Sequence, residues 1–247
     1  MEESNTRCLV VSVVSHGHGE DIQRLLEQLA RLSAPYIARV VVTHNLPEPA
    51  LRTPEEGWPF VVQARYNQKP LGFGSNHNRA LANASESFVC VLNPDVELLE
   101  GQEPFAALLQ AATQPLVGCA YPLQLDTAGH VQDSERELPS PMALGRRWLL
   151  RRSEQQTDWV NAACMVLPLS AWRVVGGFDE RYFMYCEDVD LCLRLRLQGL
   201  KLSKAAARVI HPGRRSSHRH LQHLIWHLRS LKLLWSSPAY RSIQKKL

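Results

Sequence analysis

Four short apolar runs rich in valine occupy the first hundred residues, at positions 8–14, 39–43, 60–64 and 88–92. Turn residues bound each run, and amphipathic segments at 21–32 and 75–84 lie between them. Apolar runs of this length that alternate with helical segments are typical of buried parallel strands in a doubly wound sheet. The sequence therefore predicts an α/β fold, with helices flanking a mostly parallel, Rossmann-like central sheet.

The second half of the chain has a less regular pattern. A Pro-rich polar stretch at 121–152 is expected to be a long connection with short strands. The other predicted elements are helices at 103–112, 170–175, 186–200 and 217–235 and strands at 159–167 and 206–210.

The composition fits a globular protein, since 45% of the 247 residues are apolar and 21% are charged. It excludes disorder, collagen and coiled coil. No run approaches the roughly 20 apolar residues that span a bilayer, and residues 1–5 lack the features of a signal peptide. We therefore expect a cytoplasmic protein. The six cysteines follow no metal or redox spacing, so we expect reduced, mostly buried thiols.

Doubly wound sheets bind ligands beyond the carboxyl ends of their strands. The segments at these ends are Ser15-His16-Gly17-His18-Gly19, His44-Asn45 and Asn93-Pro94-Asp95. The first lacks the glycine spacing of a dinucleotide loop and the lysine of a triphosphate loop, which excludes both ligand modes. It remains either a bend beside a nucleoside or a tight turn. Asp95 could hold a divalent cation, although Asn-Pro-Asp is also a common turn sequence.

A second acidic group, Glu187, Asp188 and Asp190, lies at a predicted helix start. The helix dipole favours such residues by about 0.3–1 kcal/mol each, which is one explanation. The other is that neighbouring carboxylates raise one another's pKa, so that one accepts a proton from a substrate hydroxyl. The aromatic segment 182–185 would then provide a wall on which a sugar ring stacks.

His211 also follows an apolar strand and could complete a metal site with Asp95, or be a structural histidine. The next polar residues could bind a diphosphate through charge and hydroxyl groups. They are Arg214, Arg215, Ser216 and Ser217.

Six segments in chain order carry a family resemblance. They are 11–16, 71–78, 92–97, 158–163, 176–191 and 209–211, and the run around Glu187-Asp188 is the most specific. Together they resemble the family 2 inverting glycosyltransferases, especially the rhamnosyltransferase-like members. The resemblance covers roughly residues 8–218 and implies a fold of the GT-A type.

The resemblance also implies roles for individual residues. Asp95 would bind Mg²⁺ or Mn²⁺, with Asn93 in place of the usual first aspartate and His211 as a further ligand. Asp188 would be the general base, and Glu187 would either orient the acceptor or support Asp188. The nucleotide donor would be bound by Ser15, His16, His44, Asn45, Gly72, Asn76, Asn78, Asn93 and Asp95. The sugar or acceptor would be bordered by Trp159, Asn161, Asp179 and Tyr185.

One pair of residues departs from the family pattern. Members commonly end the second strand with an aspartate before asparagine, and this carboxylate reads the imide edge of the pyrimidine. Here the matching pair is His44-Asn45. The choice between a uridine and a thymidine donor therefore stays open.

The C-terminal part is basic, since residues 201–247 contain 11 Lys or Arg and no Asp or Glu. In the final helix seven apolar residues share one face, with His220, His223, His227 and Lys232 largely off it. This face could pack on the core, form a homodimer or lie on an anionic membrane. Nucleic acid is not expected, because no reader motif accompanies the charge. We divide the chain into a glycosyltransferase domain, 1–216, and a helical extension, 217–247.

The predicted function is transfer of a sugar, rhamnose being the candidate, from a dTDP- or UDP-linked donor to a hydroxyl of a cell-surface glycan or lipid-linked saccharide. The enzyme would be cytoplasmic or peripheral on the inner membrane. Two alternatives are a non-catalytic scaffold that retains the fold and a sugar nucleotidyltransferase. The latter would need a Gly-rich loop with Arg and Lys, which the segment after the first run lacks.

Overall fold

Four parallel strands form the N-terminal half of the central sheet in the computed structural model, which describes residues 7–141, 157–212 and 221–245. They pair in the order β3-β2-β1-β4. The elements are β1 (Leu9–Ser15), α1 (Gly19–Leu32), β2 (Ile37–His44), β3 (Val61–Tyr66), α2 (Phe73–Leu81) and β4 (Phe88–Leu92). The predicted alternation of strands and helices is confirmed here.

The C-terminal half of the sheet is mixed. Its elements, with the helices packed around it, are β5 (Glu97–Leu98), α3 (Pro104–Ala112), β6 (Val117–Leu125), β7 (Glu135–Arg136), β8 (Trp159–Val160), β9 (Cys164–Pro168), α4 (Leu169–Val175), α5 (Glu187–Leu197), β10 (Lys201–Ile210), α6 (Leu221–Ser236) and α7 (Pro238–Gln244). Within the described ranges the sheet has the order β3-β2-β1-β4-β9-β6-β10-β5. Strand β9 is antiparallel to both neighbours, and β7 and β8 form a separate ribbon.

Both faces of the central strands β1, β4 and β9 are buried, which explains why these strands are largely apolar. Alternate side chains of a strand point to opposite faces. In β1, Val11 packs with α1 and α3, whereas Val10 packs on the other side with α2, α4 and α5. All six cysteines are free thiols and five of them are buried, as predicted.

Three predicted strands or connections differ from the structure. Strand β3 is parallel but largely exposed, because it lies at the sheet edge and pairs only with β2. The strand expected at 159–167 is divided into β8 and β9, because the Asn161 side chain accepts a hydrogen bond from the Ala163 N–H in the turn between them. The connection expected from 121 begins inside strand β6.

The C-terminal helices pack against α5. Helix α7, which was not predicted, contributes Tyr240 and Ile243 to a cluster with Leu193 of α5 and Leu234 of α6. None of the helices formed by the described residues is long and apolar enough to cross a membrane. The predicted diphosphate-binding residues at 214–217 lie outside the described part of the chain.

The predicted apolar face of the last helix is only partly correct. Leu231 and Leu234 are buried, but Leu221, Leu224 and Leu228 are exposed. The side chain of His223, expected to lie off the buried face, instead points toward the body of the protein and contacts Tyr185. The inward surface of the first half of α6 is therefore formed by polar and aromatic residues rather than by leucines.

Candidate active site

A buried glutamate organises the loop that follows β1. The Ser15 hydroxyl donates a hydrogen bond to Oε2 of Glu48 at 2.7 Å, and the Gly17 N–H donates to Oε1 at 2.9 Å. Gly17 has φ +85°, which favours glycine. Only 6% of the Glu48 side chain is exposed. Sequence reasoning missed this residue, because it lies in an irregular segment after β2 where no periodic pattern marks it.

The predicted base-reading residues lie at the end of β2. The His44 side chain is fully buried and its ring stacks on Tyr66, with ring centroids 4.8 Å apart. The Asn45 amide donates to the Leu71 carbonyl at 3.0 Å and accepts from the Leu71 N–H at 2.8 Å. His44 therefore lies beneath the surface that the strand ends form. Asn45 connects the end of β2 to the loop before α2 through its hydrogen bonds with Leu71.

His16 lies beside this pair, with its Nδ1 3.2 Å from the Asn45 amide nitrogen. Partial burial, with the positive charge of His18, lowers the pKa of His16. The charge of His223 on α6 has the same effect. The loop after β1 is thus within electrostatic range of the C-terminal helix.

The residues expected to hold a metal converge beyond the ends of β4 and β10. His211 Nε2 lies 3.5 Å from Asp95 Oδ1 and 3.4 Å from the Asn93 amide nitrogen. Burial alone would raise the pKa of Asp95, but the hydrogen bond and charge of His211 outweigh it and lower that pKa. The buried Nδ1 of His211 has no hydrogen-bond partner among the described residues. No cluster of three or more His, Cys, Asp or Glu with metal-binding geometry occurs in those residues.

The acidic pair, Glu187 and Asp188, lies in the first turn of α5 and directly follows two strained residues in the chain. Tyr185 and Cys186 have φ values of +73° and +66°, which non-glycine residues rarely adopt. Glu187 is 6% exposed, and its Oε2 has no hydrogen-bond partner in the described ranges. Burial, together with the charge of Asp188, raises the pKa of Glu187 well above its ordinary value.

Asp188 is partly buried, and burial raises its pKa to about 6. Its carboxylate accepts a hydrogen bond from the Val189 N–H at 2.8 Å, which favours the ionised form. Asp190, the third acidic residue, instead forms a 2.7 Å ion pair with Arg194 and packs within the helix. The structure thus separates an available carboxylate from one already paired.

A single turn between β8 and β9 contacts both acidic regions. The Asn93 N–H donates to the Ala163 carbonyl at 2.8 Å, and the backbone of Ala162 hydrogen-bonds to Asp188. Asn161 in the same turn exchanges amide hydrogen bonds with Gln124. The turn therefore fixes Asp188 relative to the end of β4.

Three residues predicted to contact the donor lie at or within α2, and two of them contact the segment before α5. A Cβ at Gly72 would lie 2.7 Å from the Phe183 carbonyl oxygen. The Asn78 amide donates to the Phe178 carbonyl at 2.8 Å and accepts from its N–H at 2.9 Å. Asn76 is buried, and its amide donates to the Leu71 carbonyl. Their roles as donor contacts stay predictions, since their polar atoms bind other parts of the protein here.

The residues predicted to border the sugar or acceptor are spread over three elements. The Trp159 indole donates to the Glu137 carbonyl at 2.8 Å, and its ring lies under Arg136. Asp179 pairs with the exposed Arg181. The Tyr185 hydroxyl lies 2.8 Å from His223 Nδ1. Of these, Tyr185 is nearest the acidic pair in sequence, two residues before Glu187.

Comparison with known proteins agrees with this geometry. No protein-family model matches the chain. The N-acetylglucosaminyl-diphospho-decaprenol L-rhamnosyltransferase of Mycobacterium tuberculosis is 31% identical over 257 aligned positions, covering 91% of this chain and 83% of the relative. The rhamnosyltransferase WbbL of Escherichia coli K12 is 28% identical, covering 89% of each chain.

Solved structures show the same fold. A mannosyltransferase of Pyrobaculum calidifontis, in complex with GDP-Man and Mn²⁺, superposes with a TM-score of 0.64 at 15% identity over 94% of this chain. GalNAc-T7 with UDP, GalNAc and Mn²⁺ gives a TM-score of 0.67 at 14% identity over 97% of it. The chain spans 66% and 50% of those two proteins.

The identity to rhamnosyltransferases over nearly the whole chain favours the glycosyltransferase over the scaffold and the nucleotidyltransferase. The fold and the strand-end position of the acidic residues agree with it. The chain belongs to the family 2 inverting glycosyltransferases of the GT-A fold, among their rhamnosyltransferase-like members.

Proposed function

We propose that this enzyme transfers rhamnose from a nucleoside-diphosphate rhamnose to a hydroxyl of a lipid-linked saccharide. Two relatives named rhamnosyltransferases support the sugar, and the name of one of them specifies an N-acetylglucosaminyl-diphospho-polyprenol acceptor. The observation that carries the proposal is the partly buried Asp188, with a pKa raised to about 6, beside the buried Glu187.

Asp188 is the general base of the proposed reaction. Above pH 6 its carboxylate is mostly ionised, and a pKa near the working pH suits proton abstraction. The acceptor hydroxyl attacks the anomeric carbon from the face opposite the diphosphate and gives its proton to Asp188. The new carbon–oxygen bond forms as the bond to the diphosphate breaks, so the configuration inverts.

Glu187 supports this base. Two adjacent carboxylates repel one another, so a single negative charge on the pair is favoured near neutral pH. Backbone N–H groups of Ala162 and Val189 hydrogen-bond to Asp188 and assign the charge to that residue. Glu187, whose pKa is raised further by burial, retains its proton to higher pH.

Asp95 and His211 would hold a divalent cation. A carboxylate oxygen and an imidazole nitrogen suit Mn²⁺, and His211 Nε2 lies 3.5 Å from Asp95 Oδ1 at the strand ends. Cations of this type are commonly bound by one or two side chains together with substrate phosphates. When bound, the cation would neutralise charge on the departing diphosphate.

We place the donor against the strand ends, with the nucleoside near the Ser15–Gly17 loop and Glu48, and the acceptor near Trp159 and Tyr185. The enzyme would then work as a peripheral protein at the cytoplasmic face of the membrane that holds the lipid-linked acceptor.

The direct test is an assay with a purified polyprenyl-diphospho-N-acetylglucosamine analogue. The protein is incubated with dTDP-rhamnose, UDP-N-acetylglucosamine or GDP-mannose in the presence of Mn²⁺, and products are identified by mass spectrometry. We expect a mass gain of one deoxyhexose with dTDP-rhamnose. Asp188→Asn should lose at least a hundredfold in rate while dTDP binding is retained. Full activity of this variant would overturn the base assignment.

A further inference from the structure

The outer face of α6 is an exposed apolar stripe formed by Leu221, Leu224, Ile225 and Leu228. The exposed fractions of these side chains are 82%, 51%, 48% and 58%. Their spacing of three and four residues places all four on one side of the helix. A contiguous row of large exposed apolar side chains marks an interaction surface more often than isolated ones do.

The orientation of α6 is fixed by its opposite face. The Ser230 hydroxyl donates to the Met184 carbonyl at 2.8 Å. The Trp226 ring packs on Phe183, with centroids 4.9 Å apart. Leu234 is fully buried. Since this face is anchored to the body of the protein, the apolar stripe points away from it.

The same anchors place the stripe beside the acidic pair. His223 contacts the hydroxyl of Tyr185, two residues before Glu187. Phe183, which packs on Trp226, is itself 39% exposed. The helix therefore lies next to the loop that leads into the first turn of α5.

The charge around the stripe is positive. Lys232 continues the stripe by one helical turn and Arg229 flanks it, and both side chains are exposed. Arg241 and Lys245 of the next segment are also exposed. Residues 221–245 contain no Asp or Glu. An apolar row bordered by cations matches the boundary between acyl chains and anionic headgroups.

We propose that the apolar stripe inserts into an anionic lipid surface and so brings the Glu187–Asp188 site to its acceptor in the membrane. This proposal relies on the proposed function for the acceptor in the membrane. The exposed stripe and the contacts that orient α6 do not depend on that function. A second copy of the chain is the less favourable occupant. An isologous contact through this face would bring the basic residues of two copies of α6 into one interface without a compensating acidic side chain in residues 221–245.

The test uses the full chain and sedimentation with vesicles of phosphatidylcholine alone or with 30% phosphatidylglycerol (about one charge in three lipids). The test variant is Leu224→Gln/Ile225→Gln. The matched control is Val174→Gln, since Val174 is an exposed apolar residue, at 56%, on the unrelated helix α4. All changed side chains are largely exposed, so the variants should fold, which thermal unfolding checks.

We expect the wild-type protein and Val174→Gln to bind the anionic vesicles, and the double variant to bind at least tenfold more weakly. Arg229→Gln/Lys232→Gln should weaken binding at low salt and reduce its salt dependence. Absence of vesicle binding by the wild-type chain, or equal binding by the double variant, would overturn the proposal. So would a dimer in sedimentation velocity that the double variant dissociates.

Activity separates this proposal from the proposed function. With a short-chain, water-soluble acceptor the double variant should retain the wild-type rate, whereas with a vesicle-embedded acceptor its rate should fall along with binding. Vesicle binding without transfer to any acceptor would contradict the proposed function alone. Transfer to the soluble acceptor without vesicle binding would contradict the membrane surface alone.

Discussion

His211 Nε2 lies 3.5 Å from Asp95 Oδ1, although strands β5 to β10 separate the two residues in the chain. The sheet brings them together because β5, directly after Asp95, pairs antiparallel with the end of β10. Register Ile210↔Glu97 places the two loops side by side. A carboxylate and an imidazole that meet in this way suit a divalent cation.

We predict that this pair provides the metal dependence of donor binding. Mn²⁺ should increase the dTDP affinity of the wild type, and Asp95→Asn and His211→Ala should each make that increase at least tenfold smaller, because each removes one of the two proposed protein ligands. Isothermal titration calorimetry with dTDP, in Mn²⁺ and in EDTA, measures the affinity with and without the metal. The control is His130→Ala, which removes the imidazole of an exposed pair with Asp126. A metal effect equal in all four proteins would contradict the assignment.

Asp188→Asn should make the protein more stable while abolishing transfer. The folded-state pKa of about 6 lies above the ordinary value of 3.8, so the ionised carboxylate costs stability at pH values above 6. That cost decreases as the pH falls below 6 and disappears well below 3.8, where the carboxyl group is protonated in both the folded and the unfolded state. At pH 8 we expect a gain of about 1–3 kcal/mol, measured by urea unfolding.

The same carboxylate should determine the acid limb of activity. The rate of the wild-type enzyme should fall as the pH drops through about 6, because Asp188 then becomes protonated.

Asp126→Asn is the control for the predicted gain in stability of Asp188→Asn. Backbone hydrogen bonds from His130 lower the pKa of Asp126, so neutralising Asp126 should not stabilise the protein. An Asp188→Asn protein that is less stable than the wild type at pH 8 would contradict the interpretation of Asp188 as a buried base.

The sequence predicted the sheet better than it predicted contacts between loops. The strand at 88–92 matches β4 residue for residue, because an apolar run between two turns leaves little choice of register. The apolar face of α6 was predicted as a unit, but only Leu231 and Leu234 are buried. Periodicity gives the face of a helix, and it cannot tell how much of that face another element covers.

In the candidate site, too, the sequence predicts positions at the ends of elements better than it predicts contacts between segments. Asp95, Asp188 and His211 follow from strand ends and a helix start, because those positions are visible as boundaries in the sequence. The link from Asn93 through the turn at Ala162 and Ala163 to Asp188 depends on backbone hydrogen bonds between distant segments. Such bonds use backbone donors, which do not depend on side-chain identity, so the sequence pattern does not predict them.

Glu48 should control donor binding through the loop after β1. Glu48→Ala removes the acceptor of hydrogen bonds from the Ser15 hydroxyl and the Gly17 N–H, and leaves this loop without its anchor. We expect dTDP to bind about tenfold more weakly, which corresponds to about 1.4 kcal/mol. Glu55→Ala, an exposed carboxylate on the same connection, should bind dTDP as the wild type does. Equal affinities in calorimetry would exclude this role.

Gly72→Ala should disturb the acidic pair from a distance. A Cβ at this position would lie 2.7 Å from the Phe183 carbonyl oxygen and 2.9 Å from its Cα, which are backbone atoms that cannot rotate away. The Phe73 N–H donates to the same carbonyl at 3.0 Å, so α2 and the loop would have to move apart. Overpacking of this kind costs about 1–3 kcal/mol.

The displaced loop leads through the left-handed Tyr185 and Cys186 to Glu187, so the rate should fall more than donor affinity does. Arg79→Ala is the control, because Arg79 is exposed on the same helix and alanine suits a helix interior. Urea unfolding and the kcat of both variants measure the effect. If Gly72→Ala lost donor affinity but kept its kcat, Gly72 would act at the nucleotide and the loop contact would be incidental to catalysis.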